Sequence, residues 1–83
     1  MKIKTKFKIG KTIWCISNDE KWKIIDYGVI FRICADIYKK ATYIDYEIDK
    51  PYSNSFSEQD CFATKEQAQK ECDKRNGNKR TEN

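Results

Sequence analysis

The fold is decided by the stretch Phe56-Ser57-Glu58-Gln59-Asp60-Cys61-Phe62-Ala63-Thr64-Lys65-Glu66-Gln67-Ala68. In it a polar turn leads into a short apolar piece and then into the start of a helix. Thr64 is followed three residues later by Gln67, which is the spacing of a capping box. The sequence therefore predicts a C-terminal helix over about 65–75, ended by Asn76-Gly77.

Upstream of this stretch the chain alternates with the period of two that is typical of strands. Residues 2–9 place lysines on one side and Ile3, Thr5, Phe7 and Ile9 on the other, which predicts a strand with one buried face and one lysine face. A turn at Gly10-Lys11 separates it from a second strand over 12–16 around Trp14.

The longest alternating run extends from Trp22 to Ile37. One of its faces is wholly apolar and consists of Ile25, Tyr27, Val29, Phe31, Ile33, Ala35 and Ile37. A strand of this length is expected to bend, and Gly28 is the natural place for a bulge or kink. Residues 38–40 read as a hairpin tip, 42–48 as a half-buried strand, and 52–56 as a short edge segment after Pro51.

These segments together predict the fold class. We expect a mainly β protein, a small, strongly bent antiparallel barrel of about five strands with one C-terminal helix. Eighty-three residues fit one domain, since a chain of this size builds a single core. We place that domain over 1–76 and expect a disordered tail over 77–83.

The four cysteines, Cys15, Cys34, Cys61 and Cys72, form no close pair along the chain, and the sequence contains no histidine. No apolar leader and no run long enough to span a bilayer is present, so we expect a cytoplasmic protein with reduced thiols (host cytoplasm if it is phage-encoded). Two or more of the cysteines are then expected to be small buried side chains. We expect no metal site and no cofactor.

Two segments carry a resemblance to a known group. The opening Phe7-Lys8-Ile9-Gly10-Lys11-Thr12-Ile13-Trp14 resembles the pattern F-x-I-G-D-x-V-W, and the stretch Phe56–Ala68 resembles a closing E-x-x-V-F-x-T-K-E-E-A. Both are found in small, mostly uncharacterised SH3-like barrel proteins of low-GC bacteria and their phages. Lys11 stands where the pattern has an acidic residue, and Cys61 where it has an aliphatic one. The resemblance covers about residues 5–72. It implies that the expected bent barrel is SH3-like, and it offers no catalytic residue to carry over.

We expect no enzymatic activity. Histidine, the commonest acid–base catalyst at neutral pH, is absent, and three glycines do not build a phosphate-binding loop. Cys61, shortly before the helix start, is the one nucleophile to consider. Asp45, Glu47 and Asp49 share a strand face and could hold a hard cation, although such a row is more often simply solvated.

The net charge of +4 comes from the N-terminus, where residues 1–14 hold five lysines and no acid. On a strand, alternate lysines lie about 6.5–7 Å apart, close to the phosphate spacing of a nucleic-acid strand. We therefore predict a non-catalytic binding module that contacts nucleic acid or a nucleoprotein, with no membrane and no small-molecule substrate. The alternative role of these lysines is protection of an edge strand against aggregation.

Aromatic residues beside lysines extend this candidate surface, because exposed rings can stack on bases or anchor a protein partner. The candidate binding residues are Lys2, Lys4, Lys6, Lys8, Trp22, Lys23, Tyr38, Lys39 and Lys40. Trp22 is expected to be the exposed tryptophan, and Trp14 to be half in the core. A second hypothesis is a phage or mobile-element accessory protein that binds and inhibits a host defence protein, as an anti-CRISPR does.

Overall fold

A computed structural model of the chain describes residues 3–51 and 55–77. The described part is mainly β and ends in a helix. Its strands are β1 (Thr12–Asp19), β2 (Lys21–Ile37), β3 (Thr42–Ile48), β4 (Ser55–Ser57) and β5 (Cys61–Phe62), and its helix is α1 (Lys65–Arg75). All strand pairs are antiparallel, in the order β4-β3-β2-β1-β5. The expected fold class, a small bent antiparallel barrel of five strands with one C-terminal helix, is confirmed.

The bend lies in β2, which is 17 residues long and serves both halves of the sheet. Its first half pairs with β1 and its second half with β3. Two register shifts leave Ile25 and Phe31 without a partner. β2 therefore carries one bulge on each side of the point where its pairing changes from β1 to β3. The prediction that this strand bends is therefore confirmed.

Gly28 is not the bulge that we expected. It stays in register opposite Ile13, between the two bulged positions. A Cβ at this position would lie 3.3 Å from the Cβ of Ile48 and 3.3 Å from Cε of Lys50. The absence of a side chain at Gly28 therefore allows β3 to approach β2 closely. Close approach is, beside a bulge, a second reason for a glycine inside a strand.

The main core lies between the two halves of the bent sheet. Tyr46, Ile13, Ile30 and Ile48 are its largest fully buried side chains, and Phe7 closes one end. The alternation predicted for β3 is borne out, because Ile44, Tyr46 and Ile48 all point into this core.

A second cluster lies under α1, on the opposite face of β1. Ala68 and Cys72 of the helix pack on Ile16, with Trp14, Trp22, Ile24 and Phe62 around them. β1 is therefore buried on both faces, with Ile13 and Cys15 in the main core and Ile16 under the helix.

The predicted strand over 2–9 is wrong for the residues that the structure describes. Residues 3–11 form no strand, and β1 begins at Thr12. The cause is that side chains from distant parts of the sequence accept the hydrogen bonds of backbone amides in this segment. The amide of Lys6 donates to Oε2 of Glu58 (2.8 Å), and the amide of Phe7 donates to the hydroxyl of Tyr46 (3.0 Å). The fifth strand is instead the two-residue β5.

The predicted helix start is confirmed, since Oγ1 of Thr64 accepts a hydrogen bond from the amide of Gln67 (3.1 Å). α1 ends at Asn76, followed by Gly77 with a φ of 77°. The remainder of the expected tail, 78–83, and the first part of the expected edge segment, 52–54, lie outside the described residues. In the portion that is described, no helix has the length and apolar character needed to cross a bilayer.

Candidate functional site

One face of β2 carries a row of exposed apolar side chains. We call it the outer patch, and it consists of Ile25, Tyr27, Val29 and Phe31. Each of these residues is 43–55% exposed. Contiguous apolar exposure of this kind makes the outer patch a candidate surface for interaction.

The register of β2 explains why this apolar row is not buried. Trp14 pairs with Tyr27, and Thr12 with Val29, so Tyr27 and Val29 lie on the face of the sheet opposite the main core. The helix covers only one end of that face. The two bulged residues, Ile25 and Phe31, are exposed at either end of the row.

Trp14 supports the centre of the outer patch. Its ring is nearly parallel to that of Tyr27, with 5.9 Å between centroids and 14° between planes. Trp14 itself is half-buried against the cluster under α1, so the expectation that it lies half in the core is confirmed. The ring of Phe31, by contrast, has neither an aromatic nor a cationic partner in the described part of the chain.

Basic groups border the outer patch. Nζ of Lys50 lies 4.6 Å from the centroid of the Tyr27 ring and 3.6 Å from Oδ1 of Asp26. At the other end, the turn formed by residues 8–11 joins β2 beside Phe31. The amide of Gly10 donates to the carbonyl of Ile30, and the amide of Ile30 donates to the carbonyl of Lys11. The structure thus brings the basic N-terminal segment next to the patch.

The predicted lysines are exposed but do not form the expected regular stripe. Lys4, Lys6 and Lys8 lie in a non-regular segment, so the phosphate-like spacing of a strand does not apply to them. Nζ of Lys6 lies 5.6 Å and 5.8 Å from the ring centroids of Phe7 and Phe62. Lys2 lies outside the described residues.

Trp22 is not the exposed tryptophan that we predicted. It is half-buried, and the guanidinium carbon of Arg75 lies 4.5 Å from the centroid of its ring. Arg75 is fixed there by Oδ1 of Asp60 (2.8 Å) and Oε2 of Glu71 (2.7 Å). The neighbouring Lys23 is exposed and lies 3.7 Å from the carboxylate of Asp19.

The tip of the β2–β3 hairpin holds the last group of predicted residues. Tyr38, Lys39 and Lys40 are all exposed there. Sequence reasoning did not include Tyr43, whose ring meets that of Tyr38 edge-on at 5.7 Å. The two rings line an open depression of about 600 Å³, together with Asp36 and Lys40.

Two of the three carboxylates in the predicted acidic row, those of Asp45 and Glu47, have neighbours within the protein, and Asp49 is exposed just after the end of β3. Glu47 lies 3.5 Å from Nη1 of Arg32, and Asp45 lies 3.5 Å from the hydroxyl of Ser57. Across residues 3–51 and 55–77, no group of three or more His, Cys, Asp or Glu side chains converges in a way that could hold a metal ion.

Cys61 lies in an environment that opposes nucleophilic chemistry. The residue is fully buried, and its Sγ lies 4.0 Å from that of Cys15. The hydrogen bond with Cys15 and the burial raise the pKa of the Cys61 thiol far above its ordinary value. A reactive cysteine needs a lowered pKa, because the thiolate is the nucleophile.

A scan of protein-family models found no match to the chain, and searches of curated proteins and of solved structures found none either. The candidate site therefore stands on its geometry. That geometry is the exposed aromatic and aliphatic face of β2, supported by Trp14 and bordered by lysines.

Proposed function

We propose that the protein is a non-catalytic binding module that takes single-stranded nucleic acid on the outer patch. The observation that carries the proposal is the exposed ring of Phe31 beside the Lys8–Lys11 turn, four residues from the exposed ring of Tyr27 on the same strand. Proteins that bind single strands combine aromatic rings, on which bases stack, with basic groups along the backbone path.

The outer patch offers two exposed rings on one strand. Tyr27 and Phe31 lie four residues apart on β2, and the bulge at Phe31 sets the position of the second ring. A base that stacks on Tyr27 takes the place of Lys50 above the ring. The displaced ammonium then lies beside the phosphate of that nucleotide.

The charge distribution supports the same ligand. All lysines of the segment 3–11 are exposed, and none of them forms an ion pair with the acids that the structure describes. Arg32, which follows Phe31, keeps 64% of its side chain exposed. The lysines expected to bind nucleic acid thus keep that role in this proposal, as neighbours of a stacking surface.

A protein partner is the second candidate, because Ile25 and Val29 offer apolar contact area but no ring for stacking. In that case the outer patch is the docking face of an accessory protein, such as a phage or mobile-element inhibitor of a host defence protein. The two candidates differ in one testable respect. Stacking needs a planar ring, whereas a docking face needs apolar area of any shape.

The deciding experiment replaces each ring with an aliphatic side chain of similar size. Fluorescence anisotropy with labelled single-stranded DNA and RNA, at about 50 mM salt where phosphate contacts are strong, measures the affinity. Phe31→Leu is expected to weaken binding about 5- to 150-fold, the equivalent of one lost base stack, and Tyr27→Leu to weaken it further. Tyr38→Leu, at the hairpin tip, is the matched control and should leave the affinity unchanged.

Three outcomes would count against this proposal. Absence of binding by the unmodified chain at tens of micromolar protein excludes the nucleic-acid ligand and favours the protein partner. Full affinity of the Phe31→Leu variant excludes stacking on the outer patch. Loss of affinity in Tyr38→Leu alone would move the site to the hairpin tip, where Tyr38, Lys39 and Lys40 were first predicted to act.

A further inference from the structure

Two thiols face each other across the β1–β5 pair. Cys15 and Cys61 are direct partners in the antiparallel register, and their sulfur atoms are 4.0 Å apart. Both side chains are fully buried in the main core. Cys34 and Cys72 lie elsewhere, one half-buried on β2 and the other under α1.

The backbone geometry of this pair meets the requirements of a disulfide. Directly opposed residues of antiparallel strands have their Cα atoms about 4.5 or 5.5 Å apart. Disulfides span Cα distances of about 4.4–6.8 Å, so both kinds of pair fall inside the permitted range. Only the sulfur atoms must move, to a bond length of about 2.05 Å, and rotation about the side-chain bonds provides that movement.

We propose that Cys15 and Cys61 are an oxidation site, at which hydrogen peroxide or another small peroxide closes an intramolecular disulfide that joins β5 to β1. In a reducing compartment the pair stays a dithiol and fills the core as two small apolar side chains. The disulfide is the alternative state of the same pair.

The chemistry balances with the peroxide as the only oxidant. The thiolate of Cys61 attacks one peroxide oxygen, the O–O bond breaks, and the departing hydroxide takes up a proton to become water. The thiolate of Cys15 then attacks the sulfur of the Cys61 sulfenic acid, so that the S–S bond forms and the S–O bond breaks, and the departing hydroxide takes up a proton to become a second water. The two thiols together lose two electrons and two protons, and hydrogen peroxide is reduced to two waters (an organic peroxide would give one alcohol and one water).

The position of Cys61 explains how a buried thiol can react. β5 has only two residues and forms an edge of the sheet, so local opening of this strand exposes Cys61 without unfolding β1. The closed state protects the thiol, because the hydrogen bond with Cys15 and the burial raise its pKa. Oxidation therefore proceeds through the opened edge and is expected to be slow.

Closing this bond affects the helix as well as the sheet. Cys61 stands three residues before the helix cap Thr64, so the cross-link also fixes the segment that leads into α1. The bond closes a loop between residues 46 positions apart, which restricts the unfolded chain. The oxidised protein should thus melt at a higher temperature than the reduced protein.

The test uses the full chain, treated with hydrogen peroxide under native conditions. We expect the intact mass to fall by two hydrogen atoms and a non-reducing peptide map to join the Cys15 peptide to the Cys61 peptide. The melting temperature should rise, and dithiothreitol should reverse both changes. A Cys34→Ala/Cys72→Ala variant, which keeps only the proposed pair, should behave in the same way.

Other results would overturn the proposal. A gain of oxygen without a cross-link shows that the pair does not close. A cross-link through Cys34 or Cys72, within one chain or between two chains, assigns the oxidation to other thiols. Cys61→Ala should prevent the closure; if this variant does not fold, the peptide map of the unmodified chain decides the question alone.

Discussion

The side-chain amide of Asn76 pairs with both backbone groups of Trp22. The amide of Trp22 donates to Oδ1 of Asn76 (2.8 Å), and Nδ2 of Asn76 donates to the carbonyl of Trp22 (2.9 Å). Asn76 thus takes the place of a neighbouring strand on the edge of β2 that faces away from β1. Farther along, the amide of Tyr27 donates to the side chain of Asp26, and the carbonyl of Val29 accepts from Asp49. Three separate contacts therefore protect the open side of the first half of β2, which β3 does not cover, against pairing with other chains.

Asn76→Ala should destabilise the fold and expose this edge. Two hydrogen bonds at about 1 kcal/mol each predict a loss of roughly 2 kcal/mol in the free energy of unfolding. Urea denaturation measures the loss, and hydrogen exchange should show faster exchange of the Trp22 amide. Asn76→Asp keeps the acceptor but not the donor. Its free energy of unfolding is expected to lie between those of the unmodified chain and of Asn76→Ala. An unchanged Trp22 exchange rate in Asn76→Ala would contradict the pairing.

The hydroxyl of Tyr46 should make the protein sensitive to alkali. Burial and the hydrogen bond to Glu58 raise the pKa of Tyr46 from its ordinary 10 to about 12. Because the folded state holds this proton more tightly than the unfolded chain, the stabilisation is complete below pH 10 and is lost as the pH rises towards 12. Phenolate absorbance should show the late titration of Tyr46.

Tyr46→Phe is the variant that tests this assignment. It removes the late titration and flattens the decline in stability between pH 10 and 12. It should also cost about 1–3 kcal/mol at neutral pH, since the buried amide of Phe7 loses its acceptor. If the late titration survives in Tyr46→Phe, the raised pKa belongs to another tyrosine.

Thr64→Ala tests the helix cap. It removes the acceptor of the Gln67 amide, which typically costs about 1 kcal/mol, and α1 is short and held by only two fully buried side chains. The melting temperature should fall. Thr64→Ser keeps the hydroxyl and is expected to melt close to the unmodified chain. Equal melting of Thr64→Ala and Thr64→Ser would mean that the hydrogen bond contributes nothing.

Glu20 forms the turn between β1 and β2 with a φ of 72°, in the left-handed region that disfavours a non-glycine residue. Glu20→Gly should relieve a backbone strain of about 1–2 kcal/mol. The greater conformational entropy of the unfolded Gly variant cancels part of this gain. We expect the free energy of unfolding, measured by urea denaturation, to increase by up to about 1 kcal/mol. Glu20→Asn should give a smaller gain and Glu20→Val a loss. A destabilised Glu20→Gly variant would argue against a strained turn.

Lys4, Lys6 and Lys8 should set the salt dependence of nucleic-acid binding. Replacing all three with Gln is expected to flatten the log–log slope of affinity against salt by up to about 2, at roughly 0.7 for each lost contact to a single strand. Replacing Lys65, Lys70 and Lys74 of α1 with Gln changes the net charge equally and serves as the control. Equal effects of the two triple variants would show that net charge, and not this segment, steers the ligand.

The sequence by itself determined those elements whose signals are local. The alternation of β3 fixes its buried face, and Thr64 with Asn76-Gly77 fixes the two ends of α1, because strand periodicity and helix caps involve residues only a few positions apart. The bend of β2 also followed from its length. These features were enough to predict the fold class.

Only the tertiary structure decided which apolar residues are covered. Residues 3–9 have a strand pattern, yet Glu58 and Tyr46 supply the hydrogen bonds that a neighbouring strand would otherwise provide. Trp22 is covered by Arg75, which is more than fifty positions away in the sequence. The neighbouring Asn76 forms hydrogen bonds with Trp22. The outer patch stays exposed because α1 is only 11 residues long and covers one end of that face. The alternation of residues shows which side chains share a face of a strand. Contacts between distant parts of the sequence determine which of the two faces is exposed to solvent.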